Sequence, residues 1–188
     1  MQRTFDQAHI PSTPWKVKLA SDIAAEFERC SGERRASLEE MRCFLAVKGY
    51  RDLLERLRPA CAGLAGYAAL KAAAREMRVY AIERPAISAA TFRTPMIDTP
   101  EWREAIGRLR QFMLVIFLQC GLDEVMADEA LRILRSILRG FVMHEVTDSF
   151  FDPSSYDESY ENALEVFITG LPALQRLKKA RQQAAPAI

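Results

Sequence analysis

Few side chains in this sequence are of types and spacings suited to covalent or metal chemistry. Only two histidines occur, His9 and His144. His144 lies in LRSILRGFVMHEVTDSFF, residues 134–151, with Arg139 upstream and Glu145 beside it. The three could form a polar trio lining a pocket. The more ordinary reading is a core or interface histidine with one hydrogen-bond partner. No serine, cysteine or carboxylate pattern supplies a nucleophile for His144, so no triad is predicted and the chain reads as a non-enzyme. The four cysteines, Cys30, Cys43, Cys61 and Cys120, are far apart and include no C-x-x-C pair. A zinc site needs clustered ligands, so no metal and no cofactor is expected.

The second group of candidates works without covalent chemistry. Met77, Tyr80, Phe92, Trp102, Phe112, Met113 and Phe117 gather aromatic and sulphur side chains on two consecutive helical stretches. Together with His144 they are candidates for a mostly apolar pocket that takes a small hydrophobic or amphipathic effector. The same residue types also fill ordinary cores, and both readings stand at this point.

These residues need helices to position them. Val17, Leu19, Ala20, Ile23, Ala24 and Phe27 recur at helical spacing between Lys16 and Arg29, after an irregular lead anchored by Trp15. Ser37 followed by Glu40 has the capping-box pattern and opens a second helix that fades near Pro59. A third runs from about Gly66 to Glu83, where Pro85 stops it, and residues 86–93 add at most a short turn of helix. Thr99-Pro100-Glu101 is a helix start with a cap, a first-turn proline and an acid at the positive end of the dipole. That helix reaches Gly121, and Asp123 or Asp128 opens the next, which runs to about Asp148. FDPSSYDES reads as a loop before a last helix from about Ser155 to Lys179, whose basic end in RLKKARQQ suits a helix C-terminus. No strand pattern survives, so the fold class is all-α with about six helices.

The last two helices carry surplus apolar surface. Between Leu131 and Val146 only Arg132, Arg135, Ser136 and Arg139 make a narrow polar stripe. An ordinary surface helix has an apolar face only somewhat over 100° wide. Gly140 and Gly170, both helical, are tolerable where another helix passes close, at a cost of about 1 kcal/mol against alanine. They could meet each other or a partner subunit. Ile133, Ile137, Gly140, Phe141, Val166, Phe167, Gly170 and Leu174 are therefore candidates for a homodimer interface, a four-helix seam between two copies.

Composition limits the partners. A chain of 188 residues suits one domain, and a net charge of +1 with interspersed signs offers no field for nucleic acid or anionic membrane. Charges interrupt every apolar run, and the N-terminus lacks the apolar core of a signal peptide. No membrane association is expected, and the cysteines read as reduced thiols of a cytoplasmic protein.

From about Ser37 to Leu174 the chain resembles the tetracycline-repressor (TetR/AcrR) family of transcriptional regulators, most closely its WHG-type C-terminal domain. ALKAAAREMRVYAIERP at 69–85, AATFRTP at 89–95, ALRILRSILRGFVMHEVTDSFF at 130–151, DESYENAL at 157–164 and ITGL at 168–171 carry the resemblance. Arg139 stands where the family commonly has histidine, and Ser149 where its turn often has glycine. The resemblance implies dimerisation through the last two helices and sensing of a small effector. Residues 1–35 hold a lead and one helix but no complete helix-turn-helix or recognition phrase. Residues 36–179 correspond to the ligand-binding and dimerisation domain, and 180–188 to a flexible tail. The expected function is thus a family regulator with a missing or degenerate DNA-binding head, and DNA contact by this chain alone is not expected. The alternative is an orphan helical dimerisation or adaptor protein that acts without DNA.

Overall fold

The computed structural model describes residues 14–92, 97–146 and 156–184, with side chains over 18–92, 97–146 and 156–176. Seven helices occupy them: α1 (Pro14–Ser31), α2 (Leu38–Ala60), α3 (Gly66–Glu83), α4 (Pro85–Phe92), α5 (Pro100–Gln119), α6 (Glu124–Val146) and α7 (Tyr156–Ala184). Among the described residues there is no strand, and the chain is all-α. The Trp15 side chain, the turn at Ser149 and Phe150, the segment 151–155 and the side chains of the basic C-terminal end lie outside the described residues.

Local chemistry sets the boundaries. The Ser37 hydroxyl accepts the Glu40 amide at 3.2 Å, and the Glu40 carboxylate accepts the Ser37 amide at 2.7 Å. Thr99 caps α5 by accepting from the Trp102 amide at 3.1 Å, with Pro100 in the first turn. Asp123, rather than Asp128, caps α6, accepting the Met126 amide at 2.9 Å. Pro85 both ends α3 and begins α4, because a proline at the first helical position gives up only an amide that would be unpaired anyway. The segment expected to add a short turn is thus a helix of 8 residues.

The helices close around one core. Leu45, Leu57, Leu70, Ile87, Phe117 and Leu171 are all fully buried, and they come from five helices, α2, α3, α4, α5 and α7. Tyr160 of α7 is buried beside them, donates to the Ala74 carbonyl at 2.8 Å and meets Phe141 edge-on. Arg75–Glu161 and Lys71–Glu165 ion pairs flank this contact between α3 and α7.

The tightest packing is between α2 and α4, and it rests on Gly49. A methyl group placed there would sit 2.6 Å from Ile87 Cγ2 and 2.8 Å from Thr91 Cγ2. Neither distance is tolerable for a real side chain. Gly140 and Gly170 differ: a Cβ at either would meet nothing within 4 Å. The two glycines therefore do not meet each other within the chain. Gly49→Ala should cost about 1–3 kcal/mol through overpacking. Gly107→Ala, in the exposed interior of α5 with open space around it, should stabilise by about 1 kcal/mol. Urea denaturation of both variants measures the contrast.

A five-helix cavity as the candidate functional site

One face of each of five helices walls a cavity of about 370 Å³. Tyr50 and Leu53 enter from α2, and Met77, Tyr80 and Ala81 from α3. Ser88, Thr91 and Phe92 come from α4. Ile106, Leu109, Arg110 and Met113 come from α5, at the i, i+3, i+4, i+7 spacing of a single helical face. Leu131 and Leu138 of α6 complete the apolar wall, with Asp128, Arg132 and Arg135 on the same helix. The volume is at the small end of the range for pockets that enclose organic ligands.

The polar groups inside are few and hold definite positions. Tyr50 donates its hydroxyl to the Thr91 carbonyl at 3.0 Å, tying α2 to α4 across the cavity wall. Burial raises the Tyr50 phenol above its usual range, while Arg135 and Trp102, both close to that hydroxyl, act the other way. Tyr80 is raised further, chiefly by burial, so both phenols remain protonated donors at neutral pH. The Tyr80 and Ser88 hydroxyls and the Trp102 indole N–H are buried with no hydrogen-bond partner among the described residues. Buried polar groups are ordinarily paired, so unpaired ones on residues in or just behind a cavity wall mark where a small shift would let a ligand's polar atoms pair with them.

Four of the aromatic and sulphur candidates, Met77, Tyr80, Phe92 and Met113, come together on this cavity. Trp102 stands just behind the wall near Tyr50. Phe112 is one residue before Met113, a rotation of about 100° around the helix, and packs half-buried on the core instead. Phe117 is fully buried and meets Phe167 edge-on, 6.3 Å between centroids. His144 is exposed near the end of α6.

Glu145 and Arg139 have separate partners. Glu145 accepts two hydrogen bonds from Arg78 of α3, at 2.9 and 3.0 Å, with both side chains only 12% exposed. Arg78 also reaches Asp157 and lies over the Tyr160 ring, 4.9 Å from its centroid. Burial works against the Arg78 charge, but the bonds to Glu145 and Asp157 outweigh it and hold the guanidinium protonated. Arg139 instead points to the Phe92 carbonyl, 3.5 Å away. Arg78 and Glu145 thus join α3 to α6 and belong to the frame of the cavity.

A family model described as the tetracyclin repressor-like C-terminal domain matches residues 70–167, just over half of the chain. The chain belongs to that family. No curated protein matches it. The matched stretch includes the α3–α6 walls of the cavity and the beginning of α7, while the α2 wall with Tyr50 and Leu53 precedes it. Among the described residues no single helix is long and apolar enough to cross a membrane.

Residue type alone would not have picked out Ser88 and Thr91. Their i, i+3 spacing in the otherwise apolar PAISAATF was the available signal. Tyr50 and Leu53 gave none, since a helix facing a cavity has the same apolar stripe as one facing core. The unpaired hydroxyls predict an asymmetry. Tyr80→Phe and Ser88→Ala remove a buried group that has no partner, so each should leave the melting temperature unchanged or raise it. Tyr50→Phe loses the bond to Thr91 and should cost about 1 kcal/mol. Thermal and chemical denaturation of the three variants tests this.

Proposed function

We propose that this tetracyclin repressor-like chain is the effector-sensing and dimerising module of a transcriptional regulator. The observation that carries the sensing half is the cavity of about 370 Å³, apolar in its walls, with Tyr80 and Ser88, whose hydroxyls are unpaired, among its lining residues. A small hydrophobic or amphipathic molecule would bury its body against Leu53, Leu109 and Met113. It would offer polar atoms to the two hydroxyls.

A route from ligand to the rest of the chain supports the same reading. α4 supplies Ser88, Thr91 and Phe92 to the cavity and also packs on α2 through Gly49 and on α1. Phe92 is shared with a second hollow, where it faces Leu19 and Asp22 of α1. A ligand that displaces Phe92 or the Tyr50–Thr91 bond would therefore shift α2 and α1, the helices nearest any attached DNA-binding head. Such a shift requires that the ligand bind the two arrangements with different affinity.

The cavity reading is tested by filling it. In wild-type protein, apolar ligands should stabilise the fold by about 2.7 kcal/mol at a hundredfold excess over the dissociation constant. Met113→Trp should abolish that stabilisation while costing the unliganded protein little. No stabilisation of the wild type, together with a loss of about 1–3 kcal/mol in the mutant, would mean that Met113 is closely packed core.

The dimer half of the proposal rests on the outer faces of α6 and α7. Val166 is 74% exposed, and Ile133, Ile137, Phe141 and Leu174 are only partly covered. Gly140 and Gly170 present bare backbone to open space on the same helices, which would let a second pair of helices approach. Phe167, turned inward against Phe117, would support this seam from beneath. The chain should run as a dimer by light scattering at tens of micromolar. Val166→Asp should shift it toward monomer with its helical circular dichroism intact, and a wild-type monomer would overturn the reading.

A further inference from the structure

We propose that the ligand of this cavity is an amphipathic carboxylate whose acid group is held by Arg135 at the cavity's α5–α6 edge. This rests on the reading of the cavity as a ligand site and specifies the chemistry of what enters it.

The charged residues of the cavity all lie along that one edge: Arg110 on α5, and Asp128, Arg132 and Arg135 on α6. Three guanidiniums face one carboxylate, and the carboxylate is already engaged. Arg110 grips Asp128 with two hydrogen bonds, the Nε–Oδ1 bond being 2.9 Å. Arg132 leans toward Glu129 at 3.5 Å, with both side chains largely in solvent. Arg135 has no carboxylate partner among the described residues, and its guanidinium stands close to the buried Tyr50 hydroxyl.

Arg135 is exposed, yet its side chain also borders the cavity. Spaced i, i+3 from Arg132, it shares one helical face with it and looks onto the cavity rather than away from it. Tyr50 cannot neutralise it, because burial keeps the phenol protonated and its proton is committed to the Thr91 carbonyl. An entering cation would meet the Arg135 guanidinium, which no carboxylate compensates among the described residues. A neutral apolar ligand would cover Arg135 while leaving its donors unpaired. A carboxylate matches the planar fork of a guanidinium and forms charge-assisted bonds with it. The apolar body of such a ligand then lies against Leu53, Leu109 and Met113, beyond the reach of water.

Matched pairs of ligands that differ only in charge test the assignment. Decanoate against decanamide, and naphthalene-2-carboxylate against naphthalene-2-carboxamide, are titrated calorimetrically into the full chain near neutral pH. At least one acid should bind about tenfold more tightly than its amide. In Arg135→Gln that preference should fall to within about twofold while amide binding is unchanged, and Arg135→Lys should restore part of it. Circular dichroism and melting temperature show that these exposed-position variants still fold. Amides that bind the wild type as tightly as their acids overturn the carboxylate assignment and leave the sensing role standing. An acid preference that persists in Arg135→Gln overturns the role of Arg135. If neither acids nor amides bind the wild-type protein, the carboxylate proposal and the cavity reading fall together.

Discussion

α2 and α4 approach each other so closely that no side chain fits between them at Gly49, and the form of the cavity depends on that approach. A Cβ at this position would collide with Ile87 and Thr91 and would lie 3.7 Å from the Tyr80 hydroxyl. The glycine therefore brings three things into register: the α4 backbone, the Thr91 carbonyl that receives Tyr50, and the Tyr80 phenol. Protein interiors are close-packed, and a void persists only if its walls cannot fall inward. Here the walls are braced from outside the void. The α2–α4 contact closes one side, and the Arg78–Glu145 pair, with Tyr160 under the guanidinium, holds α3 to α6 on the other.

The arginines divide between two tasks. Arg56 joins α2 to α3 through Glu76 and Glu83, Arg75 joins α3 to α7 through Glu161, and Arg78 reaches both α6 and α7. Exposed pairs of this kind each contribute little on their own, but they set which helix faces which. The Arg78–Glu145 pair is the most covered of them, and removing either partner would leave a largely buried charge unpaired. Arg132 and Arg135 do not take part in this bracing. They sit at the cavity's edge, in a chain whose net charge of +1 gives no general attraction for anions, so any anion preference there is local.

The all-α class and most helix boundaries were legible because capping residues and prolines act locally. Ser37 with Glu40, Thr99 with Pro100, and Asp123 each determine a helix start within a few residues of chain. The membership of the cavity was legible only in part. Met77, Tyr80, Phe92 and Met113 are long side chains on the inner faces of their helices, and those faces follow from helical period. Phe112 and Phe117 have the same composition signal but different azimuths, and azimuth relative to a void depends on how five helices pack. The close-packing role attributed to Gly140 and Gly170 fell within the chain to Gly49 instead. A mid-helix glycine announces that something is special, but only the neighbouring helix shows whether the reason is a collision or an open face. Arg78 and Glu145 are 67 positions apart in sequence, and nothing local marks them as partners.

The most direct measurement follows the methionine methyl groups themselves. Met77 and Met113 line the cavity, whereas Met126 is buried in the core on α6 outside it. In protein labelled with carbon-13 at the methionine methyls, saturation with naphthalene-2-carboxylate or decanoate should move the Met77 and Met113 resonances and leave Met126 in place. Saturable binding that leaves Met77 and Met113 unmoved would contradict a ligand site between α2 and α6.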